Sequence, residues 1–297
     1  MQRFEVIIIG GSYAGLSAAL ALGRSLRKVL VVDSGKPCNR FTPHSQNFLT
    51  HDGRKPAAIS AIAKEQVQQY KTVEFLDGLA LSAEKAPEGF TVETDKGSFT
   101  SKRLVLAAGI KDILPDIPGV AECWGKSVIH CPYCHGYEFH GQPTGILANG
   151  DKAFHYAQLI SNLTQELTIF TNGKIDLPTE QLTAVKRNNI TLVETEIERI
   201  EQENGQISAV VLKDGNTHQI NALYHSPHFE QGTNIATSLG CEITEQGLIK
   251  VDQKQMTSVP GVYACGDVSN MRAVSVAVSS GTVAGAVINF DLIQESF

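Results

Sequence analysis

Short apolar runs separated by glycine-rich turns open the chain. Residues 6–9 form a continuous apolar run, which is typical of a strand buried on both faces of a parallel sheet. Residues 10–15 predict a tight turn, 16–26 carry helix-forming residues, and 29–32 form a second apolar run that ends on Asp33. The pattern predicts a strand, a turn, a helix and a second parallel strand.

The same pattern returns about 140 residues later. There, residues 144–147 predict a strand, 148–153 a turn, 154–163 a helix and 167–170 the next strand. A stretch at 113–125 with two prolines and two glycines predicts a linker before this second unit. The repeat indicates two domains of nucleotide-binding type.

The remaining segments extend these two units. Helices are predicted at 56–70 and 179–187. Further strands are predicted at 73–76, 79–83, 90–93, 98–100, 104–109, 191–193, 197–201, 208–212 and 218–220. After residue 222 the chain returns to the first pattern, with strands at 248–251 and 262–267 and a long final helix.

This order predicts an α/β fold of two Rossmann-like, three-layer domains, with the second inserted into the first. The first domain is discontinuous and comprises residues 1–113 and 224–297. The second domain comprises residues 114–223 and carries a Cys-x-x-Cys sequence near its start.

Composition and charge limit the classes of partner that the protein can bind. The chain has 297 residues, a formal net charge of −6 and no block of basic residues, which argues against nucleic acid or an acidic membrane surface. The start of the chain lacks the basic and apolar regions of a signal peptide. The uncharged run at 273–290 contains serines and glycines, which favour a buried core helix over a membrane span. We expect a cytoplasmic protein.

The first glycine-rich turn has the features of a dinucleotide-binding fingerprint. It consists of Gly10, Gly11, Ser12, Tyr13, Ala14 and Gly15. Gly10 permits the sharp turn, Gly15 allows the helix to pack close to the strand, and the helix N-terminus faces a pyrophosphate. Asp33, 23 positions after Gly10, is placed to accept hydrogen bonds from ribose hydroxyls. Ser12 replaces the middle glycine of the pattern.

The second chemical signal is the sequence His130-Cys131-Pro132-Tyr133-Cys134-His135-Gly136. Two cysteines three residues apart at the start of a helix can close a reducible disulfide, and the helix N-terminus favours a thiolate. A flanking histidine can move a proton near neutral pH. Three other interpretations stay open: a structural disulfide, half of a zinc site, and two inert thiols.

Other cysteines and histidines carry weaker signals. Four scattered cysteines are expected to be small buried hydrophobic residues, namely Cys38, Cys123, Cys241 and Cys265. The loop histidines at 44, 51, 225 and 228 are expected to be solvated or hydrogen-bonded, and none is assigned as a metal ligand.

The order of these motifs resembles low-molecular-weight thioredoxin reductases, over essentially the whole chain. The resemblance rests on the fingerprint at 10–15, the strand ending at Gly109, the Cys-x-x-Cys and the sequence Gly-Val-Tyr-Ala-Cys-Gly-Asp ending at Asp267. The string CPYCHG is more similar to the branch that contains gliotoxin-type dithiol oxidoreductases than to typical thioredoxin reductases, which carry Asp after the second cysteine. The resemblance implies FAD in the first domain, an NAD(P)-binding-like second domain and a homodimer.

The resemblance also implies roles for individual residues. Cys134 would lie beside the flavin, Cys131 would exchange with substrate, and His135 would take the place of the family's acidic proton donor. FAD would be bound by the fingerprint residues 10–15 together with Asp33, Ser34, Asn39, Arg40, Asn47, Ala108, Gly109, Gly266, Asp267, Ser275 and Val276. The family's Arg-Gln-Ala before the last helix is missing, and Arg272 is out of step with it.

The second nucleotide turn departs furthest from the family. Residues 148–153 read Ala-Asn-Gly-Asp-Lys-Ala, which places Asp151 where phosphate would bind. The following strand ends without an acidic residue for an NAD ribose and without a basic cluster for a 2′-phosphate; Lys174 stands alone. NADPH use and a vestigial second domain both stay open.

The sequence thus predicts an FAD-dependent thiol–disulfide oxidoreductase that acts on a thioredoxin-like protein or a small dithiol or disulfide. Three alternatives remain. The protein could be a dithiol oxidase that passes electrons to oxygen, a ferredoxin-dependent reductase, or a flavin-binding redox sensor without efficient turnover.

Overall fold

The computed structural model describes residues 2–297, in which strands and helices alternate. The strands, in chain order, are β1 Gln2–Ile9, β2 Val29–Asp33, β3 Val73–Asp77, β4 Ala80–Ala86, β5 Gly89–Thr94, β6 Gly97–Leu106, β7 Ile110–Ile113, β8 Val128–Ile129, β9 Thr144–Leu147, β10 Leu167–Phe170, β11 Thr191–Val193, β12 Ile197–Glu203, β13 Gln206–Leu212, β14 Thr217–Gln219, β15 Ala222–His225, β16 His228–Gln231 and β17 Val262–Ala264. The helices are α1 Tyr13–Arg24, α2 Pro56–Gln68, α3 Val120–Cys123, α4 Pro132–His135, α5 Gly150–Ile160, α6 Thr179–Arg187, α7 Ile235–Ser238 and α8 Val274–Gln294.

The chain divides into two compact units. The first unit comprises Met1–Arg40, Ala57–Lys111 and Phe229–Phe297, and the second comprises Phe41–Pro56 and Asp112–His228. The α/β fold with two parallel, Rossmann-like sheets, predicted from the repeated strand–turn–helix pattern, is confirmed.

The main sheet of the first unit has the order β3-β2-β1-β6, and β6 is followed on its far side by both β5 and β17. Strands β1, β2, β3, β6 and β17 run parallel. The register places Ile9 opposite both Val32 and Leu106, and Ala264 also opposite Leu106. Because these strands end at the same level, the residues that follow them gather at one edge of the sheet.

Helices α1 and α8 pack together through small residues. An added Cβ on Gly281 would lie 2.1 Å from the Ala14 carbonyl oxygen, and one on Gly285 would lie 2.7 Å from that of Ala18. The Ser17 hydroxyl donates a hydrogen bond to the Val278 carbonyl at 2.7 Å. Within residues 2–297, α8 alone is long and apolar enough to cross a membrane, and here it packs against α1.

The second unit is built on a parallel sheet of order β11-β10-β9-β15-β8. One face of this sheet packs on α5 and α6 through a core that includes Ile146, Ile160 and Val185. The other face packs on the antiparallel sheet β12-β13-β14 through Phe170, Ile200 and Val210. Strands β7 and β16 pair with each other in a separate sheet.

Several element predictions were wrong. Residues 98–100 and 104–109 were predicted as separate strands, but β6 is continuous because β1 pairs along both halves, while β5 pairs with the first half and β17 with the second. The strand predicted at 248–251 is replaced by isolated bridges from Ile249 and Val251. The predicted linker contains the short helix α3, whose Val120 and Cys123 are buried in the core of the second unit.

The strand β15 was also missed. Its pairing with β9 and β8 places it in the sheet of the second unit, so the predicted boundary between residues 223 and 224 falls inside a strand. Four residues are too few for their own periodicity to identify a strand, and the neighbouring strands supply the missing constraint.

The contact between α1 and α8 can be tested with Gly281→Ala. The new Cβ has a backbone oxygen 2.1 Å away, so one of the helices must shift, and we expect the free energy of unfolding to fall by about 2 kcal/mol. Urea denaturation measures this. The control is Ser279→Ala at an exposed position of the same helix, which should stay within about 0.5 kcal/mol of wild type. A Gly281→Ala protein at least as stable as wild type would contradict the prediction, because helix propensity alone favours alanine by about 1 kcal/mol.

Candidate functional site

A cleft lies at the carboxyl edge of the parallel sheet in the first unit. The residues that follow β1, β2, β6 and β17 meet there, because those strands end together. Ligands of open α/β sheets bind at this edge, next to the turn that follows the first strand. The cleft has an empty volume of about 800 Å³, part of it open to solvent.

The turn after β1 is shaped by glycines that leave no room for side chains. Gly10 has φ +108°, and an added Cβ would lie 2.2 Å from the Ala107 carbonyl oxygen. A Cβ on Gly15 would lie 1.8 Å from the carbonyl oxygen of Gly10. The turn therefore brings bare backbone to the cleft and holds α1 close to β1.

The start of α1 is open towards a ligand. Ser12 is the N-cap residue, and its side chain makes no capping hydrogen bond within the described residues. The first N–H groups of a helix have no partner inside the helix, so they can bind an anion such as a pyrophosphate. Asp33 lies beside the turn and accepts a hydrogen bond from the Gly11 N–H at 3.1 Å through Oδ1.

Most of the residues predicted for this site come together in the cleft wall. These are Gly10, Gly11, Ser12, Tyr13, Ala14, Asp33, Ser34, Ala108, Gly109, Gly266 and Asp267. Gly266 is held by the buried Ser280 hydroxyl of α8, which accepts a hydrogen bond from its N–H at 3.0 Å.

Other predicted residues lie outside the wall. Gly15 is buried behind the turn, and the Asn39 side-chain nitrogen donates a hydrogen bond to the hydroxyl of the wall residue Tyr13 at 3.3 Å. Arg40 and Ser275 are exposed, and Val276 is half-buried one residue before Ala277, which does line the cleft. Asn47 belongs to the second unit, where its N–H donates to Asp52.

The wall also contains residues that the sequence did not suggest. Lys36, Pro37 and Cys38 come from the loop after β2, Gly78 and Leu79 from the turn between β3 and β4, and Ala80 from the start of β4. Gly232 and Thr233 come from the segment after β16. Only the run of Lys36 and Pro37 after Asp33 could have signalled any of these, because a loop at the carboxyl edge of β2 must pass the site.

The second unit carries the cysteine pair at the carboxyl edge of its own sheet. Cys131 and Cys134 form a disulfide with a Cα–Cα distance of 5.2 Å, and both residues are half-buried. Cys131 is the N-cap of α4, and its carbonyl accepts hydrogen bonds from the N–H groups of Cys134 and His135 at 3.2 Å. The predicted helix start is present, but α4 is only four residues long, so its dipole is small.

His135 lies at the end of this short helix. Burial lowers the pKa of its imidazole, and the nearby Glu138 carboxylate raises the pKa by a smaller amount. The net effect keeps the side chain neutral near pH 7, in the form that accepts a proton.

His130, the residue between β8 and the cysteine pair, is held by two contacts. The His130 carbonyl accepts a hydrogen bond from the Tyr156 hydroxyl of α5 at 2.7 Å. The His130 ring lies 6.0 Å from the ring of Trp124, a buried residue next to α3. These contacts fix the chain where it leaves β8 and enters the disulfide loop.

The turn at 148–153 differs from its counterpart in the first unit. Asn149 caps α5, and its side-chain oxygen accepts hydrogen bonds from the N–H groups of Gly150 and Asp176, each at 2.9 Å. Its side-chain nitrogen donates to the Lys174 carbonyl at 2.8 Å. The loop after β10 is thereby tied to the start of α5. Asp151 is held by the Gln181 side chain at 2.9 Å.

The four other cysteines divide into two groups. Cys123, Cys241 and Cys265 are buried, as predicted, and burial raises the pKa of each thiol, that of Cys265 to about 12. Cys38 is only half-buried and lines the cleft, where the Arg272 guanidinium donates to its sulfur at 3.2 Å, so the prediction for this residue was wrong. Within residues 2–297 no cluster of three or more His, Cys, Asp or Glu side chains could hold a metal ion.

Comparisons with known proteins agree with this geometry. Residues 4–281 match the pyridine nucleotide-disulphide oxidoreductase family. The chain is 34% identical to thioredoxin reductase tcpT of Claviceps purpurea over 98% of this chain and 95% of that protein. It is 32% identical to thioredoxin reductase aclD of Aspergillus oryzae over 95% and 94%, respectively.

The chain is also similar to solved structures over almost its whole length. The crystal structure of an oxidoreductase from Agrobacterium tumefaciens is 38% identical, covers 99% of both chains and has a TM-score of 0.92. The resemblance to thioredoxin reductases that the motifs indicated is confirmed. The chain belongs to the pyridine nucleotide-disulphide oxidoreductase family.

Proposed function

We propose that this protein is an FAD-dependent thiol–disulfide oxidoreductase that uses Cys131 and Cys134 as its redox pair. The observation that carries the proposal is the closed disulfide at the carboxyl edge of the second unit, in a chain whose first unit has a dinucleotide cleft. Its relatives named thioredoxin reductase support the same class of reaction.

The residues of the first unit fit FAD. The turn at 10–15 has no side-chain bulk at Gly10 or Gly11, and the start of α1 has N–H groups open to a pyrophosphate. One oxygen of Asp33 is used by Gly11, which leaves acceptor capacity for ribose hydroxyls. When bound, FAD supplies the two-electron chemistry.

The cysteine pair supplies the thiol chemistry. In the reducing direction, a Cys131 thiolate attacks a substrate disulfide, forms a mixed disulfide and releases one substrate thiolate. The Cys134 thiolate then attacks the Cys131 sulfur, which restores the intramolecular disulfide and releases the second substrate thiolate. Two electrons pass from the pair to the substrate, and the two released thiolates take up two protons. Oxidation of a substrate dithiol is the reverse sequence.

One observation favours the oxidising direction as a second candidate function. The N–H of Gly150 at the start of α5 is capped by Asn149, and Asp151 adds a negative charge in the same turn. A pyrophosphate would have to displace that cap and meet this charge. The neutral His135 suits this direction too, because a base must accept a proton from the substrate thiol. In this case oxygen would accept the electrons.

The electron donor, the substrate and the oligomeric state are proposed as well. NADPH or a ferredoxin would supply electrons in the reducing direction, and a thioredoxin-like protein or a small disulfide would be the substrate. A flavin-binding redox sensor without efficient turnover is the remaining alternative. We expect a homodimer from the resemblance to the family, and a cytoplasmic protein from the sequence composition.

The FAD assignment predicts that Asp33→Asn weakens flavin binding. The change keeps the size of the side chain but removes the charge that strengthens hydrogen bonds to ribose, so we expect the Kd for FAD to rise about 10- to 100-fold. Fluorescence of flavin released on dilution measures the Kd. The control is Asp77→Asn, opposite Asp33 in the adjacent strand but 89% exposed and outside the cleft. Equal Kd values for Asp33→Asn and wild type would contradict the assignment.

The redox pair can be tested by anaerobic titration of the flavin. We expect dithiothreitol to bleach the wild-type flavin, and Cys134→Ser to slow this bleaching at least about 1,000-fold, because no intramolecular disulfide can form. Cys123→Ala removes a buried thiol of the second unit and should bleach like wild type. Bleaching of Cys134→Ser at the wild-type rate would refute the role of the pair.

The same titration with NADPH decides the direction of electron flow. Rapid bleaching by NADPH supports the reductase, whereas bleaching by the dithiol alone, reversed by air, supports the dithiol oxidase. Bleaching by neither would contradict both enzymatic functions.

The role of His135 as a base predicts that the rate of flavin bleaching depends on pH. A base works in its neutral form, so the rate of bleaching by a dithiol should fall as the pH drops through the pKa of His135, which burial lowers from its ordinary value. His135→Gln should lower the rate by about 100-fold and abolish this acid limb. His140→Gln, at an exposed position near by in the sequence, should keep the wild-type profile. An unchanged acid limb in His135→Gln would exclude His135 as the base.

A further inference from the structure

Two buried tyrosines lie side by side beneath the disulfide loop of the second unit. Tyr156 of α5 and Tyr224 of β15 have ring centroids 6.0 Å apart, and both residues are buried. Their hydroxyls differ in hydrogen bonding. That of Tyr156 donates to the His130 carbonyl at 2.7 Å, whereas that of Tyr224 has no hydrogen-bond partner in the described chain.

The Tyr156 hydrogen bond acts on the peptide unit that leads into the disulfide. His130 follows β8, which is tied to β15 on its sheet side. The carbonyl of His130 is part of the peptide that joins it to Cys131, the N-cap of α4. The Cys131 carbonyl in turn accepts the N–H groups of Cys134 and His135. A fixed His130 carbonyl therefore fixes the backbone of Cys131 relative to the helix that carries Cys134.

The helix that provides Tyr156 is itself anchored. Its start is capped by Asn149, whose side chain is also bonded to the loop after β10. Its inner face packs into the core beside Ile129 and Ile146. The hydroxyl of Tyr156 is thus presented from a rigid element.

We propose that Tyr156 is a positioning residue that sets the redox equilibrium of the Cys131–Cys134 pair. The inference rests on the proposed function, in that it takes the pair to be redox-active. A disulfide closes favourably when the second thiol is held near the first, because the effective concentration of a held group is high. Loss of the Tyr156 hydrogen bond frees the peptide before Cys131, gives the reduced pair more conformations and makes closure less favourable.

The test compares two identical substitutions in the FAD-loaded protein. Wild type, Tyr156→Phe and Tyr224→Phe are equilibrated in buffers of reduced and oxidised glutathione. The fraction of closed disulfide is then trapped by alkylation and read by mass spectrometry of the peptide that contains the pair. We expect Tyr156→Phe to lower the equilibrium constant for disulfide formation about fivefold, which makes the reduction potential less negative by about 20 mV. Tyr224→Phe removes a hydroxyl without a hydrogen bond and should stay within twofold of wild type.

Circular dichroism and the thermal midpoint of unfolding serve as the second measurement. A general loss of packing would lower the ellipticity and the thermal midpoint without a selective shift in the redox equilibrium. An equilibrium constant of Tyr156→Phe within twofold of wild type would overturn the proposal, as would an equal shift in Tyr224→Phe. A wild-type pair that cannot be reduced and reoxidised reversibly would instead refute the proposed function, and the positioning role with it.

Discussion

The spacing of α1 from β1 and α8 is set by contacts between backbone atoms. A Cβ on Gly15 would come within 1.8 Å of the Gly10 oxygen, and one on Gly281 within 2.1 Å of the Ala14 oxygen. With both glycines in place, α1 lies close to the sheet on one side and to α8 on another. The start of α1 then reaches the edge where β1, β2, β6 and β17 end, and the cleft follows from that position.

Both units contain the same strand–turn–helix–strand pattern, but the N–H groups at the start of its helix have different acceptors in the two units. N–H groups at a helix start need an acceptor, which can be a ligand or the chain itself. At α1 the N-cap Ser12 leaves them open, whereas at α5 the side chain of Asn149 takes one of them and binds the loop after β10 as well. A change in the N-cap residue therefore accompanies the change from an open turn to a closed one. In the second unit the disulfide that we propose as the redox pair lies in a neighbouring loop instead.

The sequence was sufficient for features that depend on local pattern. The apolar run before Gly10, the helix after it and the spacing to Asp33 identified the first strand–turn–helix–strand unit, and the cysteine spacing identified the disulfide. It was insufficient where neighbours far along the chain decide the outcome. β6 looked like two strands because its polar middle, Ser101 to Arg103, interrupts the apolar pattern, yet pairing on both sides keeps it continuous. Thr233 lines the cleft because of the topology of the sheet, and no local signal marks it.

The continuity of β6 bears on the order in which the protein is made. Its second half pairs with β17, and α1 packs against α8, so two late elements complete the packing of strands and a helix that come much earlier in the chain. During synthesis the strands β1, β2, β3 and β6 emerge from the ribosome long before these partners. The segment 112–228, which holds most of the second unit, is complete before β17 emerges. We expect the second unit to reach its folded state first and the first unit to keep an uncovered apolar surface, open to aggregation, until β17 and α8 have emerged.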